Sequence, residues 1–296
     1  QVALFPAETK PILYVLSQLG VGLYMFIVGL GFRRDEFRAL GASAVAVSLS
    51  GMAVPFLAAL LLAPWLMSFD GTFADGVDRF EATLFLGAAI AITAFPMLAR
   101  IIHERGLSGT PLGTLCLSAG AIDDAGAWVL IAVVLASMGG SHSAAALAIG
   151  GGIGFAITMI WIAPRLLARL SSQVDTNGDV TQPGLAMALI LFLCSAWAMD
   201  AAGIHAVFGG FLLGTAMPRG AFADGLRAKL EPVTLVFLLP FFFTYLGLAT
   251  DLQLLAGGGL ILVALVIIAV SILAKGAACY AAARLTGQPH PVAMGI

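Results

Sequence analysis

The sequence predicts an all-α, polytopic membrane protein with about nine transmembrane helices. Three observations predict it. Of the 296 residues, 60% are apolar and only 10% are charged; the apolar residues fall in runs long enough to cross a bilayer; and the charges collect between those runs. Soluble domains carry about 25% charged residues, so this chain lacks the polar surface to coat a water-facing globule. A mean hydropathy of +1.04 agrees. Within hydrocarbon a backbone must satisfy its own hydrogen bonds, so each run is expected to be a helix of about 20 residues.

The first run, 11–32, follows a short stretch that starts at Gln1 rather than Met. No charged region with a cleavage site precedes it, so the chain reads as part of a longer protein. Run 41–68 follows, and run 82–101 is interrupted by Thr93-Ala94-Phe95-Pro96. Pro96 offers no N–H to the carbonyl four residues back and pushes Phe95 away from helical geometry. Freed carbonyls and the Thr93 hydroxyl can then hold a small cation if they face a wet cavity, whereas a plain kink is the structural alternative. Run 110–137 carries Asp123 and Asp124 near its middle.

Runs 143–168 and 182–200 hold no acid or base until their ends, and 203–218 is short. His205 lies just after the tight turn Asp200–Gly203, and Pro240 interrupts Leu238–Phe243 in run 232–250 as a kink or gating bend. Either residue can tune a pH response or gate, or serve structure alone. Run 254–284 is long enough to tilt and carries Lys275. Gly150–Gly154 and Gly210–Gly214 have the spacing of close helix packing. No extended polar region remains, so residues 1–296 form a single transmembrane domain.

Loop charges test this arrangement independently, because basic residues favour the cytoplasmic side. With loops 33–40, 100–109, 165–181 and 217–231 cytoplasmic, that side receives eleven basic residues, from Arg33, Arg34 and Arg38 to Arg284. The other side receives only Lys10 and Arg79, beside the acidic Asp70, Asp75, Asp78 and Glu81. A net charge of −2 gives no basic footprint for nucleic acid. Cys116, Cys194 and Cys279 lie in separate apolar runs without metal-ligand spacing. No P-loop, zinc site or nucleophile–His–acid arrangement appears, so neither an enzyme nor a cofactor is expected.

Three ionisable residues lie deep in apolar runs: Asp123, Asp124 and Lys275. A charge in mid-span costs at least about 2.5–3.5 kcal/mol on insertion scales. Neighbouring helical residues point about 100° apart, so the two carboxylates meet different surroundings. A satisfied polar knot would pair one acid with Lys275. It leaves the second without a cation, and such a group is stable in hydrocarbon only when it holds a proton or a metal ion. That is the behaviour of a proton-exchange site.

These residues carry a resemblance. The segments Leu23–Gly31 (LYMFIVGLG), Ala91–Ile102 (AITAFPMLARII), Ala119–Trp128 (AGAIDDAGAW), Gly203–Arg219 (GIHAVFGGFLLGTAMPR) and Phe237–Leu252 (FLLPFFFTYLGLATDL) occur in the order seen in the monovalent cation:proton antiporter-2 (CPA2) family. That family includes Kef-type, NapA-type and plant cation/H+ exchangers. The resemblance covers essentially the whole chain. It implies the sodium/proton antiporter fold, with inverted repeats, crossed discontinuous helices, a homodimer and a bacterial inner-membrane location among lipid. Core-type helices would be 41–68, 82–101, 110–137 and 254–284, and dimer-type helices 11–32, 182–200, 203–218 and 232–250.

By the same resemblance, Asp124 binds the cation (Na+ or K+, transiently) or the proton, Asp123 pairs with Lys275, and Thr93, Ala94, Phe95 and Pro96 form the broken part of the first crossing helix. Departures accompany the match. The chain begins after the family's usual first two hydrophobic segments and stops at Ile296 before the second crossing helix, so it is not expected to transport alone. Gly247-Leu248-Ala249-Thr250-Asp251-Leu252 lacks the family's usual basic residue. The expected function is secondary antiport of a monovalent cation for H+. Rival readings are a sodium-coupled organic anion symporter of the same fold and a retinal-binding photoreceptor with Lys275 as Schiff base.

Overall fold

The computed structural model describes residues 6–296 apart from 33, 70, 71, 75, 138–141, 177 and 251–259, and no side chains at 7, 34–39, 125, 128, 129, 131–137, 142–145 and 148. The expectations placed on Arg33, Arg34, Arg38, Asp70, Asp75, Asp251 and Leu252 lie outside the described residues. Thirteen α-helices follow one another among those described: α1 (Lys10–Gly31), α2 (Arg34–Leu66), α3 (Arg79–Ala91), α4 (Phe95–Glu104), α5 (Pro111–Ser137), α6 (His142–Ile157), α7 (Ala163–Leu167), α8 (Gln182–Ala201), α9 (Ala206–Ala216), α10 (Ala221–Val233), α11 (Leu239–Ala249), α12 (Leu260–Leu285) and α13 (His290–Gly295). The described extended pairing is a single β-bridge, Val174 with Val180.

Seven helical stretches among the described residues are long and apolar enough to cross a membrane. Each of the nine expected runs contains α-helix over its described residues, but 203–218 is shorter than a span. Helix α9 has 11 residues, about 16 Å at 1.5 Å per residue. Gly203, at φ 84°, ends the preceding turn in a conformation that favours glycine. At the other end Met217 is extended because Pro218 follows it.

The chain divides into two compact units. The first comprises Gln1–Phe32 and Ala146–Asp251. Its centre is the pairing of α1 with α9, where two glycines meet. A Cβ on Gly29 would overlap the Phe211 carbonyl and stand 3.0 Å from the Gly214 Cα. A Cβ on Gly214 would likewise meet the Phe26 carbonyl and the Gly29 Cα. Small residues let the backbones close up, which is how helices gain contact in lipid. Phe26, Phe192, Leu213, Phe222 and Leu226 fill the adjoining core. Arg219 ties the ends together, donating to Leu30 O at 2.5 Å and Thr215 O at 3.1 Å.

Gly210 and Gly214 therefore pack closely, but Gly150 and Gly154 do not. No described atom lies within 4 Å of a Cβ added at either of the latter. The close contacts belong to Gly151, against Ala202, and Gly152, against Ile204. Spacing identifies a stripe of small residues but not which way the helix is rotated about its axis.

Two π turns in this unit each end two residues before a proline: Thr158–Ile162 before Pro164, and Thr234–Leu238 before Pro240. Ala163 N–H reaches back to Thr158 O, and Leu239 N–H to Thr234 O. A proline removes one ladder bond and needs room for its ring, and the widened turn gives it that room. Pro240 thus occupies the first turn of α11, and the irregularity it causes lies just before it. His205 is the N-cap of α9, its Nδ1 accepting the Val207 N–H at 3.3 Å.

The second unit comprises Arg33–Ala145 and Leu252–Ile296. Helix α2 is its spine and packs against α3, α5 and α12. The contacts again rely on small residues: Gly87 lies under the Phe56 ring, Gly126 beside Met52 Sδ, and Gly51 beside Cys279 Sγ. Ala59, Ala63 and Leu66 of α2 meet Ala82, Leu86 and Ile90 of α3 in one core cluster. Asp78 and Glu81 cap α3 reciprocally, with Glu81 N–H donating to Asp78 Oδ1 at 2.8 Å and Asp78 N–H to Glu81 Oε2 at 3.2 Å. This capping box fixes where α3 starts.

Substituting Gly29 by Ala should destabilise the full-length protein by about 1–3 kcal/mol through overpacking. Gly150→Ala should be neutral or slightly stabilising, since it meets open space and gains up to about 1 kcal/mol of helix propensity. Thermal unfolding of the two variants in detergent checks the contrast; equal melting would refute the Gly29–Gly214 contact.

Candidate functional site

The site begins where one helix stops. Helix α3 ends at Ala91, Ile92 is extended (φ −64°, ψ 127°), and α4 starts at Phe95 with Pro96 in its first turn. Ala94 (φ −72°, ψ 80°) is the centre of an inverse γ-turn in which Phe95 N–H donates to Thr93 O at 2.8 Å. The unwound stretch is therefore Ile92–Ala94, displaced towards the N-terminus from the Thr93–Pro96 expected. Ala94 lies in the break, while Phe95 and Pro96 begin the next helix. The cause is general: proline fits the first turn of a helix, where no N–H is needed, and disturbs what precedes it.

The break releases specific oxygens. In a continuous helix Phe95 N–H would bond to Ala91 O, but here it is diverted to Thr93 O. Ile92 O would have bonded to the N–H that Pro96 lacks. Lys275 of α12 takes the released Ala91 carbonyl. Its Nζ also donates to Thr93 Oγ1 at 2.6 Å and to Asp123 Oδ2 of α5 at 2.9 Å. A lysine ammonium has three N–H donors, and all three are used. The Thr93 hydroxyl in turn donates to the same Asp123 Oδ2.

Asp123 is only 3% exposed. Its two oxygens differ: Oδ2 receives both Lys275 and Thr93, whereas Oδ1 is buried with no hydrogen-bond partner among the described residues. A cavity of about 240 Å³ opens beside the pair, lined by Ser48, Gly51, Thr93, Cys116, Asp123 and Lys275 among others. Small residues make this space. A Cβ on Gly51 would stand 3.0 Å from Cys279 Sγ and 3.7 Å from Lys275 Cε.

Asp124 is half-buried and does not line this cavity. No hydrogen bond or ion pair to its carboxylate occurs among the described residues. The rotation of about 100° per residue separates the two acids: one is bound to an ammonium, and its neighbour is not. Thus three of the residues singled out in the sequence, Thr93, Asp123 and Lys275, meet in one cluster, and Asp124 adjoins it along the helix. Pro240 and His205 belong to the first unit. Among the described residues no three of His, Cys, Asp and Glu stand together as a metal centre.

Sequence reasoning missed the Ala91 carbonyl and Ser48. The carbonyl has no side-chain signature, although a proline four or five residues later marks the neighbourhood. Ser48 lies amid several small residues of α2, and nothing in the run separates it from Ser43 or Ser50.

Comparison with known proteins is consistent with this architecture. The family model described as "Sodium/hydrogen exchanger, transmembrane" matches residues 2–295. The Na(+)/H(+) antiporter NhaS4 of Synechocystis sp. is 33% identical over 285 residues, which cover 96% of this chain and 69% of that protein. Cation/H(+) antiporter 18 of Arabidopsis thaliana is 31% identical over 259 residues, covering 86% of this chain and 32% of that one. K(+)/H(+) antiporter 1 of Saccharomyces cerevisiae is 31% identical over 265 residues, with 86% and 30% covered. The chain thus spans about two thirds of the first of these relatives and under a third of the plant and yeast ones. It is an integral, multi-pass membrane protein that belongs to the transmembrane sodium/hydrogen exchanger family.

Proposed function

We propose that this chain is the greater part of a secondary antiporter that exchanges Na+ or K+ for H+ by competition at Asp124. The observation that carries the reading is the division of labour between adjacent acids. Asp123 has a lysine counter-charge, and Asp124 has no ion pair among the described residues. A bare carboxylate is too costly to carry through hydrocarbon. A proton or a metal ion must therefore neutralise Asp124 before the site can change sides, which enforces exchange over leak. The names of the relatives, which specify Na+, K+ or cation exchange for H+, favour the same substrates. Beyond the O–H bond of a carboxyl that gains and loses its proton, the reaction makes and breaks no covalent bond, so it is transport, not enzymology, and calls for no cofactor.

Lys275 holds Asp123 neutral while the site is unloaded and is displaced when the cation arrives. We assign the unit with Asp123, Asp124 and Lys275 to the moving core and the other to a homodimer contact, with loops 33–40, 100–109, 165–181 and 217–231 cytoplasmic. The inverted-repeat logic of secondary transporters supports a rigid-body movement of this kind. Against the retinal reading stands the Lys275 nitrogen, which here donates to three oxygens as a free ammonium; an absorption spectrum of the purified protein tests that reading. An organic anion symporter would predict solute uptake without proton movement.

In full-length protein reconstituted into vesicles, Asp124→Asn should reduce pH-gradient-driven cation exchange to that of protein-free vesicles; undiminished exchange would end this reading. Lys275→Ala should destabilise the protein by about 3–5 kcal/mol, because a buried carboxylate loses its counter-charge. Adding Asp123→Asn to Lys275→Ala should restore most of that loss. A double-mutant cycle on thermal unfolding measures the coupling, and additive effects would deny that the pair is an energetic unit.

A further inference from the structure

Lys275 reaches its three acceptors along a lane that α2 leaves open. Helices α2 and α12 pack against each other, and the Ser50 hydroxyl donates across the contact to the Ala278 carbonyl at 3.3 Å. Gly51 follows Ser50. A Cβ added to it would stand 3.0 Å from Cys279 Sγ, 3.7 Å from Lys275 Cε and 4.0 Å from Lys275 Cγ. Residues four apart are neighbours on one helix face, so Gly51 faces both the thiol and the lysine stem.

Two stem carbons at nearly equal distances mean that the stem runs past Gly51 rather than pointing at it. A lysine stem is apolar and covers the surface it crosses, while its head seeks polar partners. Here the head donates to Ala91 O, to Thr93 Oγ1 at 2.6 Å and to Asp123 Oδ2 at 2.9 Å. Those acceptors belong to the end of α3, to the break after it and to α5. A stem pushed sideways cannot keep all three. A lone methyl at position 51 would meet Cε at an ordinary contact distance. Branched carbons beyond it would crowd the stem, because a β-branched side chain has little choice of rotamer in a helix.

We infer that Gly51 is a positioning residue for the exchange: by carrying no side chain it lets the Lys275 ammonium reach all three oxygens, and so sets how tightly the unloaded site keeps its lysine. The inference rests on the antiport reading, in which the arriving cation displaces that lysine. The apparent affinity of a ligand is reduced by the fraction of molecules not yet in the state that binds it. Crowding the stem weakens the unloaded state and spares the loaded one, where the lysine has already left. Cation affinity should therefore rise.

The test uses the full-length protein. Thermal stabilisation in detergent at increasing Na+ or K+ gives cation affinity without requiring turnover, and exchange in vesicles at fixed pH gives KM and maximal rate. Cys279→Ala removes the sulfur, so Gly51→Val added to it crowds the lysine stem and not the thiol. Relative to Cys279→Ala alone, the expected result is a fall of about tenfold in both the dissociation constant and KM, equivalent to losing one hydrogen bond to a charged group. In a background that also carries Asp123→Asn and Lys275→Ala, the same Gly51→Val should leave the dissociation constant unchanged, because no stem remains to be moved. Gly276→Ala, next to Lys275 but facing open space, should leave it unchanged as well. A merely structural role would lower the maximal rate without raising affinity. Unchanged affinity in the Cys279→Ala background, or an equal change with and without Lys275, overturns the inference. Should Gly51→Val fail to fold, Gly51→Thr, whose hydroxyl can bond a carbonyl one turn back, is read by the same criteria. Wild-type vesicles that exchange no cation for H+ would instead sink the antiport reading itself.

Discussion

An ammonium group inside hydrocarbon must find three acceptors without water, and the architecture of the second unit follows from where Lys275 finds them. One is a backbone carbonyl, one a hydroxyl and one a carboxylate, contributed by a helix end, an unwound segment and a neighbouring helix. In a continuous helix that carbonyl would already accept a ladder N–H, leaving only its second lone pair for the ammonium. The break between α3 and α4, caused by Pro96, leaves it to Lys275. Close the break, and the lysine must share this acceptor.

The same economy explains why so many residues near the cluster are small. Helix α2 approaches α3, α5 and α12 through Gly87, Gly126 and Gly51, and each contact brings a main chain against a ring or a sulfur. Lipid offers no hydrophobic drive for helix association, so close packing must supply the attraction. Small residues also leave the volume beside Asp123. Packing and polarity are then two results of one choice of residue size.

Much of this was readable before any coordinates, for a physical reason. Charges in apolar runs are costly enough that Asp123, Asp124 and Lys275 stand out on sight, and Pro96 beside Thr93 marks a disturbed helix. Family membership was legible from five segments of the chain. What remained hidden depends on rotation and on backbone bonding. Spacing found Gly150 and Gly154 but not that Gly151 and Gly152 face the neighbouring segment. Proline restricts the residues before it, yet nothing in the letters says that Phe95 N–H turns to Thr93 O. The shortness of α9 was visible, whereas the π turns before Pro164 and Pro240 were not. One serine among several in α2 carries no mark of which neighbours it meets.

The guanidinium of Arg219 has a consequence for depth. It grips Leu30 O and Thr215 O, so α1 and α9, which run parallel, finish level. Helix α1 has 22 residues and α9 has 11, so α9 starts about 16 Å further along, near the midpoint of its partner. The bend after α8 and the imidazole that caps α9 are thereby carried to the middle of the slab that α1 traverses. Peptide groups freed at that depth must be shielded by protein rather than lipid, and Ile204 and Val207–Ala216 are accordingly buried.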